Sequence, residues 1–153
     1  MELNNLKKEI PHKWRVQSYS KNKPMAQCVA YIDARDVMDL LDEVVGAGNW
    51  QSDFKEIGGK IYGGIAILIE GQWVWKWDCG SESKMEAEKG QSSDAFKRAG
   101  VKWGIGRFLY EKPIKYLKAN KTNTQGTPNH ELWVINQQGE RVWDITKFIN
   151  EQK

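Results

Sequence analysis

Between Trp50 and Cys79 the chain reads as three strands in succession, and the links between them leave few ways to pair. Gly58-Gly59 separates Trp50–Ile57 from Lys60–Glu70, and Glu70-Gly71 turns the chain into Gln72–Cys79. Links of about two residues join only antiparallel neighbours, and glycine supplies the positive φ such turns require. A helix follows, between Lys84 and Trp103. Its clearest part places Phe96, Ala99, Gly100 and Trp103 at i, i+3, i+4 and i+7, one apolar stripe. Ser92-Ser93-Asp94 offers a fresh N-cap inside that stretch. The expectation is an α+β fold with a β-β-β-α core, a three-stranded antiparallel sheet packed by a long helix.

The flanking segments extend this core. Leu3, Leu6 and Ile10 have helical spacing, and Pro11 stops the helix. Lys13–Ser20 and Met25–Ile32 read as strands around the polar loop Lys21-Asn22-Lys23-Pro24, a preceding hairpin. Asp33 is placed to cap a helix with Asp36 at its third position, and Val37, Leu40, Leu41, Val44 and Val45 share one face. Gly46 and Gly48 end it. After Pro113 the chain turns polar, and an exposed loop is expected from Tyr116 to Pro128, its most polar part at about 118–129. A C-terminal hairpin is expected over 132–145 around Gln137-Gln138-Gly139, followed by a terminal helical turn. The whole chain, 1–153, reads as a single domain.

Composition narrows the function. The 153 residues carry a net charge of +3, unevenly spread. Residues 1–24 hold +4, 25–83 hold −6, 84–121 hold +6 and 122–153 hold −1. Two basic blocks around an acidic one suggest a surface for a polyanion. No apolar run approaches the roughly 20 residues that span a bilayer. Cys28 and Cys79 are too few for a disulfide scaffold or a four-cysteine zinc site and read as reduced, buried thiols. Among eight tryptophans, Trp73, Trp75 and Trp77 alternate along one strand and share a face, as core packing or as a contact between subunits.

Nucleotide-driven and hydrolytic chemistries lack their residues. Gly104-Ile105-Gly106 has no third glycine, and no glycine pair is followed by Lys-Ser/Thr, so an ATP site is not expected. His12 and His130 belong to no triad or zinc spacing. The carboxylates Asp33, Asp36, Asp39, Asp42 and Glu43 suit the helix dipole and a solvated face better than a metal. No metal and no cofactor is expected. The strongest candidate is the basic helix: Lys97, Arg98 and Lys102, continued by Arg107 and Lys112, are spaced to follow a phosphate backbone.

Three pieces of sequence carry a resemblance: Tyr31-Ile-Asp-Ala-Arg-Asp-Val, Asn49-Trp50, and Ser93-Asp-Ala-Phe-Lys-Arg-Ala99. Together they resemble the Rad fifty-two superfamily of single-strand annealing proteins, especially its compact DdrA-type bacterial and Sak-type phage members, over about 31–116. The resemblance implies a β-β-β-α core with a hairpin, assembly as rings, and single-stranded DNA in a basic groove with its bases turned outward. The family's Lys-Arg pair corresponds to Lys97 and Arg98, and a further strand Arg corresponds to Arg15. Where eukaryotic members place another Arg, this chain has Val101, with Lys102 beside it.

The function implied is ATP-independent binding of single-stranded DNA and annealing of complementary strands, in homologous recombination or double-strand-break repair, by a protein that is not an enzyme. Its partners would be single-stranded DNA, further copies of itself in a ring, and a single-strand-binding protein or recombinase. The long tails that recruit the latter in eukaryotic members have no counterpart here. The expected location is the cytoplasm, on the nucleoid of a bacterial or phage-infected cell. Two other readings stay open on residues alone: a duplex-RNA-binding module, which also runs helix, three strands, helix, and a metal-dependent nuclease using Asp33 to Glu43.

Overall fold

Gly58, Gly59 and Gly71 all take positive φ, and Glu70 joins them at 51°, so the two turns form where the glycines sit. The computed structural model describes residues 2–81, 87–125 and 127–152, with side chains 87–89 excepted. Its elements are β1 (Lys13–Tyr19), β2 (Met25–Tyr31), α1 (Ala34–Val44), β3 (Trp50–Ile57), β4 (Lys60–Ile69), β5 (Gln72–Cys79), α2 (Ala87–Lys102), β6 (Lys115–Lys118) and α3 (Ile145–Glu151). Short 3-10 turns lie at Leu3–Lys7, Ala47–Asn49, Arg107–Glu111 and Asn129–Glu131. The architecture is α+β, with two three-stranded antiparallel sheets, β1-β2-β6 and β3-β4-β5. None of the described helices is long and apolar enough to cross a membrane.

The chain divides into two compact units. The first comprises 1–10 and 32–110, and the second 11–31 and 111–153. In the first, α2 lies against β4 and β5. Ala95, Phe96, Ala99 and Gly100 of the helix and Trp103 just after it are buried and include the whole apolar stripe expected from spacing. They meet Ile65, Ile67, Val37, Leu40 and Leu41 in one core, joined by Leu6 from the N-terminal turn. Trp103 Nε1 donates to the Ile65 carbonyl at 2.9 Å, so the indole is buried without an orphaned N–H. The helix runs unbroken through Ser92-Ser93-Asp94, which therefore do not begin a new helix. Asp94 turns outward and accepts the Ser81 backbone N–H at 2.7 Å. The part of the expected helix at 84–86 lies outside the described residues.

α1 begins as its sequence requires. Asp33 accepts the Asp36 N–H and Asp36 accepts the Asp33 N–H, both at 2.9 Å, a reciprocal capping box. The Leu3–Ile10 segment is tighter than expected, a 3-10 turn over Leu3–Lys7 that buries Leu6 completely.

The second unit packs α3 against the β1-β2-β6 sheet. Trp14, Ala26, Cys28, Leu117, Val134 and Ile149 form its core. Trp14 N–H donates to Thr146 Oγ1 at 2.9 Å, which ties the start of the hairpin to α3. The loop expected from Tyr116 is corrected here: Lys115–Lys118 is a strand, paired with β2 from Met25 to Cys28. Only Leu117 of its four residues is buried, so burial on one face of an edge strand, rather than an apolar run, holds it. The C-terminal hairpin is short, a turn around Gly139 with the isolated bridge Ile135↔Arg141, and Val134 bridges Ala119 just after β6.

Two predictions test these cores. A Cβ on Gly63 would stand 2.7 Å from the Ala95 backbone carbon. Gly63→Ala should cost about 1–3 kcal/mol of unfolding free energy, the range of overpacking, measured by urea denaturation. Burial pushes the Cys28 thiol up to about 11. At pH 8 it stays protonated, so iodoacetamide should label Cys28 only after denaturation, as read by mass spectrometry of the native and unfolded chain.

Candidate nucleic-acid interface

The stripe that fixes α2 to the sheet also decides which side chains remain outside. At 100° per residue, Lys97 and Arg98 project from the side of α2 away from its buried centre. Arg98 is half exposed, and its Nε stands 3.5 Å from Asp78 Oδ2 on β5. Asp78 is held in turn by the Cys79 N–H, which donates to its other oxygen at 2.7 Å. A pair exposed this far is worth about 0–1 kcal/mol, so it orients the guanidinium and yields readily to a competing anion. Among the described residues Lys97 has no carboxylate partner.

The end of α2 gathers a second group. Lys102 is exposed, and its carbonyl accepts Lys76 Nζ at 3.3 Å and an Arg107 terminal N–H at 3.0 Å. Arg107 Nε also donates to the Val101 carbonyl at 2.8 Å. The guanidinium therefore satisfies the orphan carbonyls at the negative end of the helix dipole. Lys76 Nζ sits 4.4 Å from the Trp103 ring centroid. Charge counting passed over Lys76 because it stands in the acidic block; its place opposite Ile65 in the β4–β5 register brings it to α2. Of the residues named from sequence, Lys97, Arg98, Lys102 and Arg107 thus lie on α2 and the turn after it, in the first unit.

Arg15 belongs to the second unit, exposed on β1, with its guanidinium 5.4 Å from the Tyr31 ring centroid. Lys13 stands directly across from Tyr31 and lies 5.9 Å from the same ring. β6 adds Lys115, whose Nζ lies 5.4 Å from the Trp14 ring, and exposed Lys118. This unit holds eleven Lys and Arg against five Asp and Glu, net +6, whereas the first holds twelve against fifteen, net −3. Counting along the sequence hid that contrast, because the second unit joins two distant segments.

The remaining candidates have structural occupations. Asp33 and Asp36 cap α1, Asp42 Oδ1 accepts the Trp50 indole N–H at 2.7 Å, and Glu43 pairs with Lys8. Among the described residues no three His, Cys, Asp or Glu side chains are grouped as a metal site. Trp73, Trp75 and Trp77 line the sheet face opposite α2. Trp75 and Trp77 stack at 5.2 Å, Trp77 lies over Gly64, and Lys55 Nζ sits 4.5 Å from the Trp77 centroid.

The family model described as Rad52/22 family double-strand break repair protein matches residues 1–63 and 60–128. The chain belongs to this family. Single-stranded DNA-binding protein DdrA of Deinococcus radiodurans is 31% identical over 123 residues, covering 76% of this chain and 56% of that protein. The protein of the same name from Deinococcus deserti is 30% identical over 125 residues, covering 78% of this chain and 60% of its own length. The chain therefore spans less than two thirds of the length of these relatives.

The capping role of Arg107 gives a prediction separate from any ligand. Arg107→Ala should lower the unfolding free energy by about 1 kcal/mol through loss of two hydrogen bonds, measured by thermal melting against wild type.

Proposed function

We infer that this chain binds single-stranded DNA by its phosphates and anneals complementary strands without ATP, as an oligomeric ring, in homologous recombination or double-strand-break repair. The observation that carries the reading is the side-by-side display of Lys97 and Arg98 on the outer side of α2, within the segment Ser93–Ala99. The family membership and the single-stranded DNA-binding relatives support it. Lys97 contributes a point charge, and Arg98 exchanges its weak hold on Asp78 for a bidentate hold on phosphate. Lys102 and Arg107 add positive charge beside them on the first unit, and Arg15 is a further candidate phosphate contact on the second unit.

Phosphate contacts position a strand without reading it, which leaves the base edges free to pair. Pairing then supplies the driving force, and no covalent bond is made or broken. Repetition of one modest basic face around a ring converts weak subunit contacts into a continuous grip. A single-strand-binding protein or recombinase would be met on the same substrate.

The test is annealing of two complementary fluorescent strands, without nucleotide or metal, across a salt series. Wild type should accelerate annealing, and the effect should fade with salt. Lys97→Ala combined with Arg98→Ala should abolish strand binding while circular dichroism and sedimentation stay unchanged. In each single variant, Lys97→Ala or Arg98→Ala, the one lost phosphate contact should flatten the log–log salt slope by about 0.7. Normal binding by the double variant would sink the site assignment, and preference for duplex RNA in competition would sink the substrate.

A further inference from the structure

The segment that bridges to β6 carries an aromatic arrangement that the α2 site does not use. Val142 N–H donates to the Val134 carbonyl at 2.8 Å, and Ile135 bridges Arg141. Val134 is buried and Val142 packs against the core of the second unit. Alternation along the two short segments therefore turns Trp133, Arg141 and Trp143 together to the opposite side. The Arg141 guanidinium lies over both rings, 3.7 Å from the Trp143 centroid and 4.9 Å from the Trp133 centroid.

Trp143 is 78% exposed although a guanidinium covers one of its faces. Its other face is consequently open to solvent. A ring so placed adds little to the core, yet Arg141 holds it in a fixed orientation, which reduces the ordering cost of anything that stacks on it. Arg141 has no carboxylate within ion-pair distance among the described residues. The nearby acids are occupied: Asp144 accepts the Lys147 N–H as the cap of α3, and Glu140 accepts from the Asn136 amide. The guanidinium keeps its charge and N–H donors for an anion. The surrounding unit carries net +6.

We propose that Trp143 and Arg141 form a nucleotide-stacking subsite for single-stranded nucleic acid, with an unpaired base on the open indole face and its phosphate on the guanidinium. This rests on the reading of the chain as a single-strand binder and adds to it a contact to a base. Stacking needs a free π-face, which every base has, so the subsite holds any sequence but requires the base to be out of a duplex. It is distinct from the α2 site, which contacts only the backbone.

The experiment compares fluorescently labelled oligothymidylate with an abasic strand of the same length, by anisotropy at one fixed salt concentration. Wild type, Trp143→Ala, Trp143→Phe and Arg141→Ala are measured with the full chain. Trp143→Ala should weaken oligothymidylate binding roughly five- to hundredfold, the range for one stacked base. It should leave the abasic strand unchanged, and Trp143→Phe should recover most of the loss. Arg141→Ala should weaken both strands. A thymidine analogue carrying 5-iodouracil should photocross-link to Trp143. Equal binding of oligothymidylate by wild type and Trp143→Ala would overturn the subsite while the strand-binding reading stands. Equal loss on both strands, or a change in sedimentation showing that Trp143 joins copies of the chain, would also overturn it. Failure of wild type to bind either strand would overturn both readings.

Discussion

The close seating of α2 on the meander governs the rest of the first unit. Gly63 presents no side chain where the Ala95–Phe96 backbone passes, and Gly100 brings α2 against Val37 of α1. Small residues at these crossings let a helix backbone approach a sheet more closely than larger side chains permit, and dispersion contacts accumulate at that separation. Once the helix is held there, its rotation is fixed by Phe96, Ala99 and Trp103. The outward direction of Lys97 and Arg98 is then a consequence of packing rather than of their own interactions. A helix–sheet contact brought close by Gly63 and Gly100 and oriented by Phe96, Ala99 and Trp103 thus sets the placement of two charges that contribute little to stability.

Local signals explain what was legible from the amino acids. The α1 capping box, the two turns of the meander and the α2 stripe depend on residues within a few positions of one another, so the sequence states them directly. β6 was hidden because an edge strand with a single buried residue has no distinctive pattern: Lys115-Tyr116-Leu117-Lys118 resembles a polar loop until β2 lies beside it. The 132–145 hairpin forms with less pairing than its pattern suggests. Its alternation is clear, but its pairing is limited to bridges.

The basic residues were recognised as a class more readily than as individuals. Spacing on a helix puts Lys97 and Arg98 outside, but nothing local shows that Arg107 turns back to the end of α2 or that Lys76 crosses from β5 to the same carbonyl. Trp143 likewise had no sequence signal beyond its type. Its character depends on which of its neighbours, Val142 inside and Arg141 outside, shares its face. Tertiary placement decides whether a cation is a cap, a pair or a free charge, and one-dimensional charge blocks average over all three.

The second unit is assembled from residues 11–31 and 111–153, so the chain passes between units three times. Trp14 and Thr146, bonded to each other, are 132 positions apart. During synthesis the β1–β2 hairpin therefore emerges long before the residues that cover its apolar face. At a translation rate of about 5–20 residues per second, the wait from Tyr31 to α3 lasts on the order of 6–20 seconds. Through that interval the residues of α3 that cover Trp14, Ala26 and Cys28 are still to be made, whereas the first unit has its last segment once residue 110 is added. The slow, exposure-prone step in making this protein is thus built into the order of its segments, and it falls on the more basic of its two halves.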